Sequence, residues 1–307
     1  MKVSVSAPGK LMLFGEHAVV YGYPSVVTAV DKRLYVEAEQ TDKEVEEVIT
    51  PQVKESRFVS ESISFFREKF AVKEHVKVRT RGDFSHNVGL GSSSAATVAV
   101  LAALGVLFNK FFKKRTLFDM SYQVNIKIQG VGSGFDVAAA TFGGTLYFIR
   151  QGEVLEPLSV GALPLVIGYS GIKADTPSYV RKVAENFKQK KNETIDIFKK
   201  IRDLVELAKQ SLLVKDYEMV GKLMTRNHVL LQQLGVSTVK LDSMIDAAFN
   251  TGAFGAKLSG AGGGDCMIAL VPSEKRKNVE KAIEKAGGQV IKVKNNAEGV
   301  KIEERII

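Results

Sequence analysis

A lysine, an aspartate and glycine-rich loops carry the chemistry that this sequence can offer. Lys10 belongs to the segment, residues 6–10, that ends the first strand, and a lysine at the end of a buried strand needs a negatively charged partner. Asp136 stands between a flexible loop and an apolar run, and one such carboxylate can orient an alcohol and accept its proton. Taken alone, each residue also fits a structural role: a surface lysine in a turn, or an aspartate that caps a helix.

The first glycine-rich loop covers residues 88–96, where glycines pass into serines and then into an apolar segment at 95–108. Glycines let a ligand approach the backbone, and the N-terminus of the helix that follows favours an anion such as phosphate. No Lys-Ser or Lys-Thr pair follows, and Ser94 replaces the third glycine of a dinucleotide fingerprint, which excludes both common nucleotide motifs. A glycine turn before a core helix remains the alternative.

A second glycine-rich loop lies between two apolar stretches near the end of the chain. Residues 260–264 contain four glycines among five residues, which is costly in chain entropy if stability is the only benefit. The pattern therefore indicates a close approach of backbone to ligand, with a plain β-bend as the alternative.

Alternating helical and strand patterns predict an α+β fold with two domains, divided near residue 160. Strands are predicted at 3–6, 26–40, 76–80, 142–149, 163–170, 256–258, 267–271, 289–293 and 300–303, and helices at 61–70, 95–108, 116–129, 178–187, 193–212, 217–234, 240–249 and 273–286. The N-terminus lacks the pattern of a signal peptide, and the longest apolar stretch, 97–108, is too short to span a bilayer.

Composition narrows the partners and the compartment. The chain has 307 residues, 45% of them hydrophobic, and a net charge of +9 that would attract anions. The basic runs at 110–115 and 188–191 are interpreted as solvated helix faces. The sequence has no basic motif interleaved with aromatic residues of the kind that stacks bases, so nucleic-acid binding is not predicted. The single cysteine, Cys266, excludes an internal disulfide, and we expect it to be buried, in a cytoplasmic protein without a membrane partner.

Taken together, residues 7–10 with 15–22, the loop at 89–96 and residues 257–264 resemble the three ordered motifs of the GHMP small-molecule kinases. Within that family, residues 227–228 and 234–242 are most similar to the mevalonate kinases. The resemblance covers nearly the whole chain. It implies a ribosomal-S5-domain-2-like N-terminal domain, residues 1–160, a ferredoxin-like C-terminal domain, residues 161–307, and a cleft between them for ATP and substrate.

The resemblance also implies a role for individual residues. Asp136 matches the catalytic aspartate and Lys10 the lysine that polarises it. The implied ATP phosphate loop is Gly89, Leu90, Gly91, Ser92, Ser93, Ser94 and Ala95, and the implied substrate side is Glu16, His17, Thr176, Gly262 and Gly263. ATP and Mg²⁺ are the implied cofactors, with Ser93 as a metal ligand. Mevalonate is the implied small-molecule partner, and a homodimer stays open.

Two departures from the mevalonate kinase pattern leave alternatives open. Asn125 stands eleven residues before Asp136, where these kinases usually carry a glutamate that binds Mg²⁺, and an amide there predicts a weaker metal site. Residues 132–140 look more like those of phosphomevalonate kinases. The first hypothesis is phosphorylation of the primary hydroxyl of mevalonate, and the second is the same chemistry on phosphomevalonate. The third is a basic RNA-binding protein.

A substrate phosphate would need a basic cluster, which distinguishes the two kinase hypotheses. Lys173, Arg181 and Lys182 around Thr176 could supply one, although they fit solvated helix residues equally.

Overall fold

A computed structural model of the chain describes residues 1–53 and 56–306, with the side chain of His86 left aside. Within these residues, seven strands form a first sheet in the order β11-β1-β2-β4-β3, in which β5 also pairs with β2 and β6 pairs with β5. Its strands are β1 (Lys2–Phe14), β2 (Ser25–Thr41), β3 (Glu47–Ile49), β4 (His75–Gly82), β5 (Thr145–Phe148), β6 (Leu155–Leu158) and β11 (Lys301–Ile306). The pair β3 and β4 is parallel, and the other pairs are antiparallel.

The first strand is much longer than the sequence predicts. The sequence predicted a strand over residues 3–6, yet β1 continues to Phe14 beside β2. A register shift between Pro8 and Gly9 accommodates the interruption, because a bulge absorbs a residue that cannot join the regular ladder. Lys10 consequently lies inside a buried strand.

Helices cover one face of this sheet. They are α1 (Arg57–Phe70), α2 (Ser92–Leu107), α3 (Lys114–Gln129) and α4 (Phe135–Phe142). Alternate residues of β1 and β2, such as Val5 and Val36, are buried with α2, which is buried on nearly all sides as its apolar sequence predicts. This packing holds the N-terminus of α2 close to the middle of β1.

The second sheet has four strands among the described residues, in the antiparallel order β10-β7-β9-β8. They are β7 (Leu165–Tyr169), β8 (Gly255–Ser259), β9 (Cys266–Leu270) and β10 (Gln289–Ile291), accompanied by α5 (Thr176–Gln189), α6 (Lys191–Leu213), α7 (Tyr217–Gln233), α8 (Val239–Asn250) and α9 (Arg276–Lys285). The predicted α+β class is confirmed. None of these described helices combines the length and apolar character needed to cross a membrane.

The chain passes from the first sheet to the second between Leu158 and Leu165, close to the predicted division at residue 160. The domain assignment itself stays a prediction. One strand crosses back, because β11 pairs antiparallel with β1 at the edge of the first sheet. The Arg33 guanidinium secures this return by donating to the backbone oxygens of Glu298 (2.8 Å) and Gly299 (2.7 Å).

Candidate active site

A cleft of about 550 Å³ opens where the helices of the first sheet meet loops of the second. Most of the residues singled out in the sequence lie on its wall. They are Lys10, His17, Gly89, Gly91, Ser92, Ser93, Ser94, Asn125, Asp136 and Thr176, joined by Gly260 and Ala261. A cleft of this size suits a small ligand. Segments that are far apart in the sequence meet on its wall.

The first glycine-rich loop delivers the N-terminus of α2 to this cleft. Gly91 has a φ of 79° and precedes the helix as its N-cap, and the first helical hydrogen bond runs from Ala95 N–H to Gly91 O (3.1 Å). The N–H groups of Ser92 to Ser94 therefore precede the helical ladder and are available to an anion. A Cβ on Gly91 would lie 3.1 Å from Lys10 Cγ, so glycine allows the loop to approach that lysine.

Lys10 and Asp136 meet beside the loop. Lys10 Nζ lies 3.5 Å from Asp136 Oδ1 and donates a hydrogen bond to Gly89 O (3.2 Å). Only 6% of Lys10 is exposed, and these oxygen partners offset the cost of burying its side chain. Gly134, and not Asp136, is the N-cap of α4, and Asp136 Oδ1 is buried without a hydrogen-bond partner. The Asp136 side chain as a whole is 36% exposed, so its carboxylate is accessible to a bound hydroxyl.

His17 lies on the wall in an unusual backbone conformation. Its φ of 60° and ψ of −48°, with a hydrogen bond from Ala18 N–H to Glu16 O (2.7 Å), define a tight γ-turn of the rare, strained kind. The ring Nε2 lies 2.9 Å from Ala261 O, which fixes the ring against the second glycine-rich loop. Burial lowers the pKa of the His17 imidazole from its usual 6.5 to about 4, so the ring is neutral near pH 7.

Glu16 is not on the cleft wall, which differs from its predicted place on the substrate side. Its carboxylate forms an ion pair with Lys257 of β8, and both side chains are fully buried. Burial raises the pKa of the Glu16 carboxyl, an effect that the Lys257 charge opposes, and burial lowers the pKa of the Lys257 ammonium group. The pair joins the end of β1 to the second sheet. The physical reason for the difference is that a buried cation in β8 requires this carboxylate.

The second glycine-rich loop divides into two parts. Gly260 and Ala261 line the cleft, whereas Gly262 and Gly263 do not, although both were assigned to substrate. A Cβ on Gly262 would lie 2.0 Å from the backbone oxygen of Val236, and one on Gly263 only 1.9 Å from the Tyr179 ring. Close packing within the protein thus explains these two glycines without a ligand.

Leu90 and Ala95, both assigned to the phosphate loop, are also absent from the wall because their side chains are buried in the two cores. Leu90 O instead accepts a hydrogen bond from Lys10 N–H (2.9 Å), which fixes the loop to β1. Any contact of either residue with ATP would involve the backbone, and both assignments stay predictions.

Asn125 reaches the wall, but its amide is already engaged. Its Nδ2 donates to Ser94 Oγ (2.8 Å) and its Oδ1 accepts from Thr97 Oγ1 (2.8 Å). The amide therefore supports the first turn of α2 next to Ser93. The described residues contain no group of three or more His, Cys, Asp or Glu side chains that could hold a metal ion by themselves. The assignment of Ser93 and Asn125 to Mg²⁺ stays a prediction.

Sequence reasoning missed the parts played by Lys257 and Asp265. A lysine between Ala256 and Leu258 in an apolar strand was itself a signal, since it demands a buried partner. Asp265 ends the glycine run, and its carboxylate accepts from Ala174 N–H (3.1 Å) and lies 3.5 Å from Lys173 Nζ. Asp265 could have been recognised from the sequence as a charged residue that directly follows a run of glycines.

Comparisons with known proteins agree with this geometry. Residues 57–144 match the model of the GHMP kinases N terminal domain, and residues 204–289 match that of the GHMP kinases C terminal. The mevalonate kinase of Thermococcus sibiricus is 35% identical over 99% of this chain and 99% of its own length. The L. major mevalonate kinase, solved in complex with R-mevalonate, is 25% identical with a TM-score of 0.82, covering 96% of each chain.

A likeness in fold alone extends further. The phosphomevalonate kinase of Streptococcus pneumoniae has a TM-score of 0.82 at 21% identity, covering 96% of this chain and 99% of that one.

Proposed function

Because the chain belongs to the GHMP kinase family, we propose that it transfers the γ-phosphoryl group of ATP to the primary hydroxyl of mevalonate, yielding ADP and 5-phosphomevalonate. The observation that carries this proposal is the pair formed by Lys10 and Asp136 at 3.5 Å, next to the N-terminus of α2. The pair supplies a base and a cation where the helix supplies a site for phosphate.

Asp136 receives the proton in this mechanism. The C5 hydroxyl donates to the Asp136 carboxylate, whose side chain is 36% exposed, and the hydroxyl oxygen attacks the γ-phosphorus in line with the bond to the leaving ADP oxygen. As the new P–O bond forms, the hydroxyl proton moves to the carboxylate and the electron pair of the breaking bond stays with ADP. Lys10 offsets the charge that develops on the transferred group.

The nucleotide is bound mainly by the backbone. The N–H groups of Ser92 to Ser94 and the positive end of α2 would hold its phosphates. The Ser93 hydroxyl would hold Mg²⁺, which would neutralise phosphate charge. Asn125 fits a supporting role better than that of a ligand, because both ends of its amide are hydrogen-bonded to side chains of α2.

Phosphomevalonate is the less favoured substrate. Of the three basic residues that could form a phosphate site, only Lys173 lines the cleft. Arg181 instead donates to Ser178 Oγ (3.0 Å), and Lys182 donates to Gly235 O (2.6 Å). An RNA-binding role would leave the Lys10–Asp136 pair without a purpose. The cytoplasmic location and the homodimer stay predictions.

A coupled assay of ADP release with mevalonate and phosphomevalonate side by side tests the proposal. We expect a clear preference for mevalonate, and a preference for phosphomevalonate would overturn the proposed substrate.

The Asp136→Asn variant should lose about 10²–10⁴-fold in kcat, with a much smaller change in ATP affinity, because the carboxylate acts on the hydroxyl and not on the nucleotide. Near-full turnover by this variant would exclude Asp136 as the base.

A further inference from the structure

Lys173 is a cation on the cleft wall that the reaction so far does not use. Its side chain is 45% exposed, and its Nζ lies 3.5 Å from Asp265 Oδ1, which leaves N–H donors free for a ligand. We propose that Lys173 binds the carboxylate of the acid-alcohol substrate and thereby selects which end of that molecule reaches Asp136. This inference rests on the proposed function.

Asp265 fixes the segment that carries Lys173. Ser170 N–H donates to Asp265 O (2.9 Å), Asp265 N–H donates to Ile172 O (2.8 Å), and Ala174 N–H donates to Asp265 Oδ1 (3.1 Å). These bonds attach residues 170–174 to the end of the second glycine-rich loop on both sides of Lys173. The backbone at Lys173 is therefore held in place, while its long side chain can still adjust the position of the ammonium group on the cleft wall.

The backbone conformation of Asp265 supports a purpose beyond packing. Its φ is 53°, in the left-handed region that a residue with a Cβ adopts at a cost, and it directly follows glycines at 262–264 that also have positive φ. A glycine would fit this position without strain. The carboxylate is the part of the residue that glycine could not supply, and its partners are Ala174 N–H and the Lys173 ammonium group.

A series of contacts places Lys173 near the reacting centre. The Asp265 side chain packs against Gly89, since a Cβ on that glycine would lie 2.5 Å from Asp265 Cγ. Gly89 O in turn accepts from Lys10 Nζ, which pairs with Asp136. A five-carbon acid-alcohol spans about 6 Å between its carboxylate and its terminal hydroxyl. The flexible Lys173 side chain can place its ammonium group at that distance from a hydroxyl bound at Asp136.

The other cationic groups on the described wall are less suitable for the carboxylate. Lys10 is engaged with Asp136 and Gly89 O, and Arg57 is the exposed first residue of α1. His17 is neutral because burial lowers its pKa. Lys173 also lies three residues before Thr176, the residue assigned to the substrate side from the sequence.

The test compares mevalonate with its neutral carboxamide, in which the carboxylate is replaced and the reacting hydroxyl is kept. We expect Lys173→Met to lower kcat/KM for mevalonate by about 10–100-fold, mainly through KM, because a charge-assisted contact is lost. The same variant should leave kcat/KM for the carboxamide and KM for ATP nearly unchanged. Lys173→Arg should restore most of the activity towards mevalonate.

Two further variants complete the design. Arg181→Gln removes a neighbouring charge that is outside the cleft and should behave as the wild type with both substrates. Asp265→Gly removes the carboxylate together with the strained Cβ, and we expect KM for mevalonate to rise about 3–10-fold while thermal stability is retained. Thermal melting of each variant controls for folding.

The results separate this inference from the proposed function. Equal losses with mevalonate and the carboxamide, or a rise confined to KM for ATP, would show that Lys173 does not read the carboxylate. Turnover of phosphomevalonate alone by the wild-type enzyme would overturn both conclusions, whereas wild-type turnover of mevalonate with an unaffected Lys173→Met variant would overturn only this one.

Discussion

At the scale of single residues, His17 combines two costs that the surrounding structure must offset. A γ-turn with φ of 60° costs on the order of 1–3 kcal/mol, and burial deprives the imidazole of water. The bond between Nε2 and Ala261 O holds the ring in place, and the preceding residue, Glu16, is fixed by its ion pair with Lys257. The strained backbone of His17 lies on the same cleft wall as Lys10 and Asp136, which fits an imidazole ring positioned to contact the substrate.

The burial of His17 predicts a loss of stability in mild acid. Its folded pKa of about 4 lies below the usual 6.5, so its contribution is complete above pH 6.5 and declines as the pH falls towards 4. Between pH 7.5 and 5 this residue should remove about 2 kcal/mol from the free energy of unfolding. Urea titrations of the wild type and His17→Asn at both pH values measure the difference. Identical pH dependence in the two proteins would contradict the prediction.

The sequence predicted which residues could react but not every partner. Local patterns marked Lys10 and Asp136 as candidates, the family resemblance implied their roles, and the fold brings them within 3.5 Å. The pairing of Glu16 with Lys257 was not predicted, because the two residues are 241 positions apart and no local pattern reports such a contact. Burial of Cys266 was predicted and is confirmed, with burial raising the pKa of its thiol to about 12.

At the scale of elements, the junction between the first glycine-rich loop and α2 determines the phosphate site. The apolar sequence predicted the helix correctly, although the structure starts it at Ser92 and not at residue 95. Serine has low helix propensity but is accepted in the first turn, so propensity alone could not fix the start. The extension of β1 to Phe14 was missed for a similar reason, since pairing with β2 overrides Pro8 and Gly9.

The two glycines Gly91 and Gly130 offer a matched test of this junction. Their φ values are 79° and 74°, so an alanine at either position should cost about 1 kcal/mol of stability. A Cβ on Gly91 would press on the Lys10 stem at 3.1 Å, whereas a Cβ on Gly130 would meet nothing within 4 Å. We expect Gly91→Ala to lower kcat/KM for ATP at least tenfold and Gly130→Ala to keep it. Steady-state kinetics decide, and equal activities would contradict the role of the loop.

At the scale of the whole molecule, the buried pair of Glu16 and Lys257 couples the two sheets. Ser259 of β8 adds a second link across this seam, the contact between β1 and β8. Its Oγ accepts from Met12 N–H (2.9 Å) and donates to Met12 O (3.0 Å). The cleft lies along this seam, so its shape depends on contacts between segments that the sequence separates widely. The family resemblance implied a cleft between two domains, but neither it nor the local patterns predicted these contacts.

Lys257→Met should destabilise the protein by about 3–5 kcal/mol, because it leaves Glu16 buried without its counter-charge. The double variant Glu16→Gln with Lys257→Met should recover much of that loss. Lys222→Met is the surface control, since its pair with Glu218 is 60% and 72% exposed and contributes less than about 1 kcal/mol. Chemical denaturation measures all three. A single variant as stable as the control would show that the pair does not hold the sheets together.

The return of β11 to the first sheet has a consequence during protein synthesis. Until residues 301–306 leave the ribosome, β1 is an edge strand whose outer N–H and C=O groups have no partner. At about 5–20 residues per second, translating the second half of the chain takes on the order of ten seconds. For that interval the nascent N-terminal sheet exposes an open edge, so chaperones that shield such edges should associate with this chain until its last strand emerges.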